Sequence, residues 1–336
     1  MGGEIITTQI GIGMWMFAIA FVVSSVATPL MRRYALARGW VHRPDERKWQ
    51  AKRASNPHPI TLLGGVSMWM GFTGGMAGCA VIGWMNIKHA ILLTAFGTCA
   101  LMLGIRDDRN GTTVRGKIAM QTAIGLLSGI FLWRIAGLPF LVGLAITVFV
   151  IIAAMNSYNL MDNMDGIAAV VGGLSGMGFA VMGVIHNQMA LVVLGSGMAG
   201  ICLAFLIWNF PPAKIFMGDG GSMFAGYILG VMGVLATHGR TEEVGLNYVI
   251  PLLILGVLIA DTLLVMVDRK RRGVPIVVGG KDHIAHRLAA VMGGFKERRV
   301  IGIFALVQVG LISIAIWVAL AGIIVWVVIA MGVIML

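Results

Sequence analysis

This chain has 336 residues, of which 58% are hydrophobic and only 12% charged, and its mean hydropathy is +0.91. Soluble domains are less apolar and carry about a quarter charged residues, so a soluble domain with a single anchor is excluded in favour of a polytopic helical membrane protein. The net charge of +11 invites a nucleic-acid reading, but the basic residues lie between the apolar runs. Lipid headgroups and anionic substrates are therefore the expected partners, not nucleic acid.

In chain order, apolar runs predict spans near 9–31, 60–85, 90–105, 118–136, 138–155, 167–185, 189–208, 222–236, 247–267 and 300–319. The segment 322–336 is a candidate eleventh. The fold class is thus all-α, a single membrane domain over 1–336 with 10–11 transmembrane helices. The first run has Glu4 and no basic residue before it, which makes it a retained helix rather than a secretory signal. Abundant Gly and Met (47 and 24) suit close helix packing and adaptable apolar contacts. Cys79, Cys99 and Cys202 fall inside apolar runs and form no CxxC, so neither a disulfide framework nor a thiolate metal site is expected.

Basic residues set the orientation. The segments 32–59, 106–117, 156–166, 209–221 and 268–299 hold 22 Lys plus Arg, and the alternate loops hold only Lys88, Arg134 and Arg240. The first group is expected in the cytoplasm, with the N-terminus outside. Every chemically rich segment falls in that first group.

Asp107-Asp108, between Arg106 and Arg109, can bind a divalent ion, or one carboxylate can act as a base tuned by the other. A self-neutralising interface turn is the plainer reading. Lys117, just beyond, can hold a lipid phosphate. On a helix, Asp162 and Asp165 would sit about 60° apart on one face, extended backwards by Asn159. Carboxylate and amide oxygens suit a hard ion such as Mg²⁺. Helix capping explains one of these residues, but less well the set with Asn156 and Asn163. The segment also fits the start of D-x-x-D-G-x-x-A-R, the motif of CDP-alcohol phosphatidyltransferases, but Val170 replaces the Arg and no later Asp pair follows.

The loop Asn209 to Ser222 places Asp219 among Gly218, Gly220 and Gly221, where backbone N–H groups can face a phosphate and the carboxylate can hold its cation. Phe216 offers a flat face for a base and Asn209 a hydrogen-bonding edge. His283-Ile-Ala-His286-Arg287 suits a diphosphate better than a metal, because no third ligand is near in sequence. Asp261, deep in an apolar run, is open to two readings, an ion pathway or helix packing.

Together these motifs resemble the polyprenyl-phosphate N-acetylhexosamine-1-phosphate transferases. The resemblance rests on Pro59 to Gly64-Gly65, Asp107-Asp108, Asn159-Leu-x-Asp162-x-x-Asp165-Gly166, Pro212-Ala-x-Ile-Phe216-Met-Gly-Asp219-x-Gly-Ser222, Asp261-Thr262 and His283-Ile-x-His286. It implies a bacterial inner-membrane, multi-pass enzyme that uses Mg²⁺, with Mn²⁺ as a substitute. The reaction implied is transfer of a sugar-1-phosphate from a UDP-N-acetylhexosamine to undecaprenyl phosphate, with release of UMP, in cell-envelope polysaccharide synthesis. Asp219 with Asn159 or Asp162 is expected to hold the metal, and Asp107, Asp108, Asp162 and Asp165 are the candidate catalytic carboxylates. Phe216 and Asn209 are expected to hold the uracil, and His283, His286 and Arg287 the diphosphate and sugar.

The chain lacks the run of consecutive histidines followed by Phe-Glu of the phospho-MurNAc-pentapeptide transferases, which favours UDP-GlcNAc over that larger donor. Ala285 stands within the His motif, and Asn163 stands where Gly is usual between the two Asp residues. The competing readings are the pentapeptide transferase and, from another class, a transporter. A transporter would place its polar groups near the midplane rather than at one face. A homodimer is compatible with these features.

Overall fold

The computed structural model describes residues 2–42, 60–238, 244–275, 280, 282–293 and 297–321. The helices are α1 (Gly2–Ala37), α2 (Gly64–Val81), α3 (Ile87–Asn110), α4 (Val114–Phe131), α5 (Phe140–Met161) and α6 (Ile167–Ile185). They continue as α7 (Met189–Asn209), α8 (Gly218–Ala236), α9 (Val244–Ile254), α10 (Gly256–Arg271), α11 (Ile284–Val291) and α12 (Glu297–Ala321). A small antiparallel ribbon pairs β1 (Val41–His42) with β2 (Ile60–Thr61). Seven of the helices, α1, α3, α5, α6, α7, α8 and α12, are long and apolar enough to cross a membrane, and α9 with α10 makes an eighth candidate. The chain is a multi-pass helical membrane protein.

At 1.5 Å per residue the 36 residues of α1 extend about 54 Å, well beyond a hydrocarbon core of about 30 Å. Its last turns, with Arg32 and Arg33, therefore project past the apolar layer. Arg32 Nε donates to Lys214 O at 3.0 Å, and the Arg109 guanidinium lies 3.7 Å from the centre of the Trp40 ring just beyond α1. These contacts tie the end of α1 to the loops at the same end of the bundle.

Helix α8 is the centre of the fold. Its sequence is apolar all round apart from its first turn, the pattern of a helix surrounded by others, and it packs against α2, α3, α5, α6, α7 and α9. Small residues make the approach close. At Gly104 on α3, an added Cβ would fall 2.1 Å from Asp219 O, a collision with backbone that no rotamer relieves.

Most expected spans coincide with helices, but the run 247–267 is not one straight span. It is broken between α9 and α10 with a bend of 73°. Pro251 lies inside α9 and leaves one intrahelical bond unmade shortly before the helix ends at Ile254. The Ile254 carbonyl at the break accepts from Gln308 Nε2 at 2.7 Å and Ser175 Oγ at 3.1 Å, which replaces intrahelical bonding in an apolar setting. Window hydropathy averages over such a break and does not reveal it. The candidate span 322–336 lies outside the described residues, as do Glu242 and Glu243.

Candidate active site

Every residue of α8 is buried except Asp219, at its second position. The turn into the helix depends on Gly218, which has φ +68°, and a Cβ there would meet Leu62 O at 2.6 Å and Asp108 Oδ2 at 2.7 Å. Only glycine combines that backbone conformation with that clearance. Gly64 N and Gly65 N, at the start of α2, donate to Phe216 O and Met217 O, each at 3.0 Å, and so seat the approach to α8.

Three other helices bring side chains to Asp219. From α5, Asn159 Nδ2 donates to Asp219 Oδ1 at 2.9 Å and to Ser222 Oγ at 2.8 Å. From α4, Lys117 Nζ lies 3.6 Å from Asp219 Oδ2 and 2.8 Å from Asp107 Oδ2 on α3. Asp107 Oδ1 accepts from Thr112 N at 2.8 Å and from the Thr112 hydroxyl. Asp108 turns to the amino end of α8, where Gly220 N approaches its Oδ2 at 3.4 Å. The structure thus unites Asp107, Asp108, Lys117, Asn159 and Asp219, drawn from four helices, at one end of the bundle. Lys117 meets carboxylates in this arrangement, where the sequence suggested a lipid phosphate.

The segment from Asp162 to Gly166 corrects the expectation of a helical face. Helix α5 ends at Met161, Asp162 caps it, and Asp165 lies in the turn before α6. Asp165 is 2% exposed, and its Oδ2 accepts from Ala213 N at 2.9 Å. Asn209, equally buried, accepts from Gly166 N through Oδ1 at 2.8 Å and donates through Nδ2 to Ile215 O at 2.9 Å. These residues lock the 209–217 loop onto the α5–α6 turn. Phe216 is 1% exposed and packs with Ile60 and Ala213, so its ring lies inside the loop's own small core. In this conformation Asn209 and Phe216 build the loop, and neither presents a free edge or face to a base.

A second set of groups surrounds α10 and α11. Asp261, wholly buried on α10, takes both the His283 ring nitrogen Nδ1 and Ile284 N at 2.8 Å, so it caps α11 and orients the histidine. These two bonds give Asp261 a packing and positioning role. His286 stands half-buried in the first turn of α11. Arg287 donates from Nε to Asp282 O at 2.7 Å and from Nη2 to Asp268 Oδ2 at 2.6 Å. Buried Arg269 forms a two-pronged pair with Asp282, at 2.7 and 2.8 Å, and this holds the Asp282 carboxyl well below the usual carboxylate range. Helix α10, which carries Asp261 and Arg269, packs on α5, the helix that carries Asn159.

Sequence reasoning did not single out Thr112, Gln121, Arg269 or Asp282. Gln121 carried one available signal, as a lone amide four residues after Lys117 in an otherwise apolar helix. Arg269 and Asp282 were hidden in a basic loop whose internal pairings the sequence does not specify.

Comparison with known proteins shows the family. The description "Glycosyl transferase family 4" matches residues 90–237, the stretch that carries Asp107, Lys117, Asn159 and Asp219. The probable undecaprenyl-phosphate N-acetylglucosaminyl 1-phosphate transferase of Bacillus subtilis (strain 168) is 33% identical, over 90% of this chain and 86% of the relative. This chain belongs to that family of glycosyl-1-phosphate transferases. The undecaprenyl-phosphate alpha-N-acetylglucosaminyl 1-phosphate transferase of Escherichia coli (strain K12) is 27% identical, over 88% of this chain and 81% of its own length. A phospho-N-acetylmuramoyl-pentapeptide-transferase of Rippkaea orientalis is also 27% identical, over 88% and 83% respectively. Family membership makes the chain an enzyme.

Proposed function

We propose that this protein transfers N-acetylglucosamine 1-phosphate from UDP-GlcNAc to undecaprenyl phosphate, with release of UMP. It acts as one membrane-embedded unit of 10 or 11 spans in the bacterial inner membrane, and the Asp219 cluster faces the cytoplasm. One observation carries the reading: the central helix of a glycosyl-1-phosphate transferase is buried at every position but Asp219, and that residue meets Lys117, Asp107 and Asn159. The same chemistry appears in the names of the B. subtilis and E. coli relatives.

In the reaction a phosphate oxygen of the acceptor attacks the donor's β-phosphorus. The bond from that phosphorus to the bridging oxygen breaks, and UMP leaves with the bridging oxygen. A phosphate monoester has a second pKa of about 6, so at neutral pH the acceptor is mostly a dianion and needs positioning more than deprotonation. The obstacle is repulsion between two polyanions, and catalysis of phosphoryl transfer is largely positioning and charge stabilisation. Lys117 is the cation placed to meet the transferring phosphate. Asp107, with both oxygens engaged by Thr112 and Lys117, holds that ammonium in place. Asn159 fixes the Asp219 carboxylate, and Asp108 stands at the amino end of α8.

The residues fit a divalent metal ion. Two carboxylates, Asp107 and Asp219, flank the Lys117 ammonium, and Asp108 lies at the amino end of α8, so carboxylates outnumber the ammonium before an anionic substrate arrives. No group of three or more His, Cys, Asp or Glu side chains that could hold a metal ion occurs among the described residues. Mg²⁺ uses one or two carboxylates and completes its shell with water and phosphate oxygens. Asp219 with Asp107 or Asp108 would hold it, and Asn159 supports Asp219 instead of ligating. The bound ion would neutralise the donor diphosphate and stabilise charge on the transferring group.

His283, His286 and Arg287 serve the donor's diphosphate and sugar, with Asp261 setting the tautomer and direction of His283. The decisive experiment incubates purified protein with undecaprenyl phosphate, Mg²⁺ and a panel of UDP-sugars and follows UMP. UDP-GlcNAc is expected to support the fastest release, and release from none of the panel would sink the reading.

A further inference from the structure

One helical turn inward from the Asp219 cluster, the same three helices meet a second time. Gln121 lies four residues after Lys117 on α4, Asn156 three before Asn159 on α5, and Met223 four after Asp219 on α8. Residues three or four apart stack on one face of a helix, so each member of this inner layer sits beneath a member of the site. The inner layer is itself bonded. Asn156 Nδ2 donates to Gln121 Oε1 at 2.9 Å, and Gln121 Nε2 approaches Asn156 Oδ1 and Met223 Sδ, each at 3.3 Å. Asn156 Nδ2 also donates to Ile152 O at 2.8 Å, which orients its amide along α5. Gln121 is fully buried.

We propose that the Gln121–Asn156 amide pair is a positioning device for the transfer step, fixing how far and at what register α4 stands from α5 and α8, and so where Lys117 and Asn159 meet Asp219. The reason is geometric. Lys117 must lie between Asp107 and Asp219, carboxylates of two helices, while rooted in a third. A long, flexible lysine chain does not define that point by itself. A reciprocal amide pair does, because sliding either helix leaves the buried Gln121 amide without its Asn156 partner. A purely apolar contact at this level would tolerate such a slide.

This inference rests on the proposed transfer reaction, and the test separates the two. Gln121→Met keeps side-chain length and the contact with Met223 but removes the pairing. It is expected to lower kcat about tenfold to a hundredfold, with the KM of both substrates near wild type. The double variant Gln121→Asn/Asn156→Gln keeps the summed length of the pair and should recover most of the lost kcat. Independently of turnover, the acylation rate of Lys117 by a small amine-reactive reagent, read by peptide mass spectrometry, should rise several-fold in Gln121→Met and return in the double variant. Thermal unfolding in detergent identifies a variant that has simply lost its fold. Wild-type kcat in Gln121→Met overturns the inference. So does a loss of kcat that merely follows unfolding and is not recovered by the exchange. If wild-type protein transfers no sugar phosphate the proposed function fails instead, and Lys117 acylation alone still decides whether the pair positions it.

Discussion

Asp107 and Asp219, from different helices, share a single cation: Lys117 Nζ lies 2.8 Å from the first and 3.6 Å from the second. The shared ammonium couples the end of α3 to the start of α8. Asp219→Ala removes the α8 half of the pair at the one non-buried position of that helix, so packing is untouched. Transfer is expected to fall by about a hundredfold or more, the scale of losing one charge-stabilising group at a reacting centre. Size-exclusion profile and melting temperature should stay near wild type. Mg²⁺-dependent transfer near the normal rate in this variant would remove Asp219 from the site.

Gly104 gives a prediction about packing instead of charge. A methyl group there would stand 2.1 Å from Asp219 O and 2.4 Å from Gly220 N, so α3 and α8 must separate where the site forms. Gly104→Ala should cost about 1–3 kcal/mol of stability, as overpacking usually does, and should also depress transfer. Gly302→Ala on α12, where nothing lies within 4 Å, is the control and should match wild type in both. Equal behaviour of the two variants in melting and activity would show that the close approach is not required.

The sequence made most of the helices legible because apolar runs report burial directly. It also made Asp107, Lys117, Asn159 and Asp219 visible as separate motifs. Their meeting was not visible, since α3, α4, α5 and α8 converge through packing that local pattern does not encode. The structural contacts of Asn209 and Phe216 were hidden for a related reason. An amide and an aromatic ring in a Gly/Pro loop look available to a ligand until the partners Gly166, Ile215, Ile60 and Ala213 are known. Gln121 is the opposite case, a polar residue hidden in an apolar helix whose partner sits on another helix.

Asp282 supplies a pH prediction at the α10–α11 loop. Its pairing with Arg269 depresses its folded-state pKa, so its contribution to stability is present above the unfolded value of about 3.9 and is lost as pH falls through the folded value. Asp282→Asn should therefore melt earlier than wild type by a constant margin across neutral and mildly acidic pH, and the margin should narrow below about pH 4. Detergent-phase melts over that range measure it. A margin that grew on acidification would contradict the pairing.

Topology is tested without reference to activity. Asn187 lies in the exposed α6–α7 turn, and Val291 lies at the end of α11, beyond the site end of the bundle. With Cys79, Cys99 and Cys202 replaced, Asn187→Cys should react with a membrane-impermeant maleimide on intact cells. Val291→Cys should react only after permeabilisation. Labelling of both from outside would overturn the cytoplasmic placement of the site.

The proposed donor site includes His283, His286 and Arg287 at the start of α11. Arg287 is held by Asp268 and by the Asp282 carbonyl, so its guanidinium is already oriented before substrate arrives. A planar guanidinium suits two-pronged contact with a diphosphate, and Arg287→Ala should raise the donor KM about tenfold, the value of one charge-assisted hydrogen bond. The KM of undecaprenyl phosphate should not move, since that acceptor carries a single phosphate and not the diphosphate this guanidinium is proposed to hold. UDP-GlcNAc should outrank both UDP-MurNAc-pentapeptide and UDP-glucose, the last because a site built to bond an acetamido group leaves its partner unpaired when that group is missing. Steady-state kinetics on the three donors decide the matter. Fastest use of the pentapeptide donor, or an Arg287→Ala effect confined to the lipid acceptor, would assign this loop to another role.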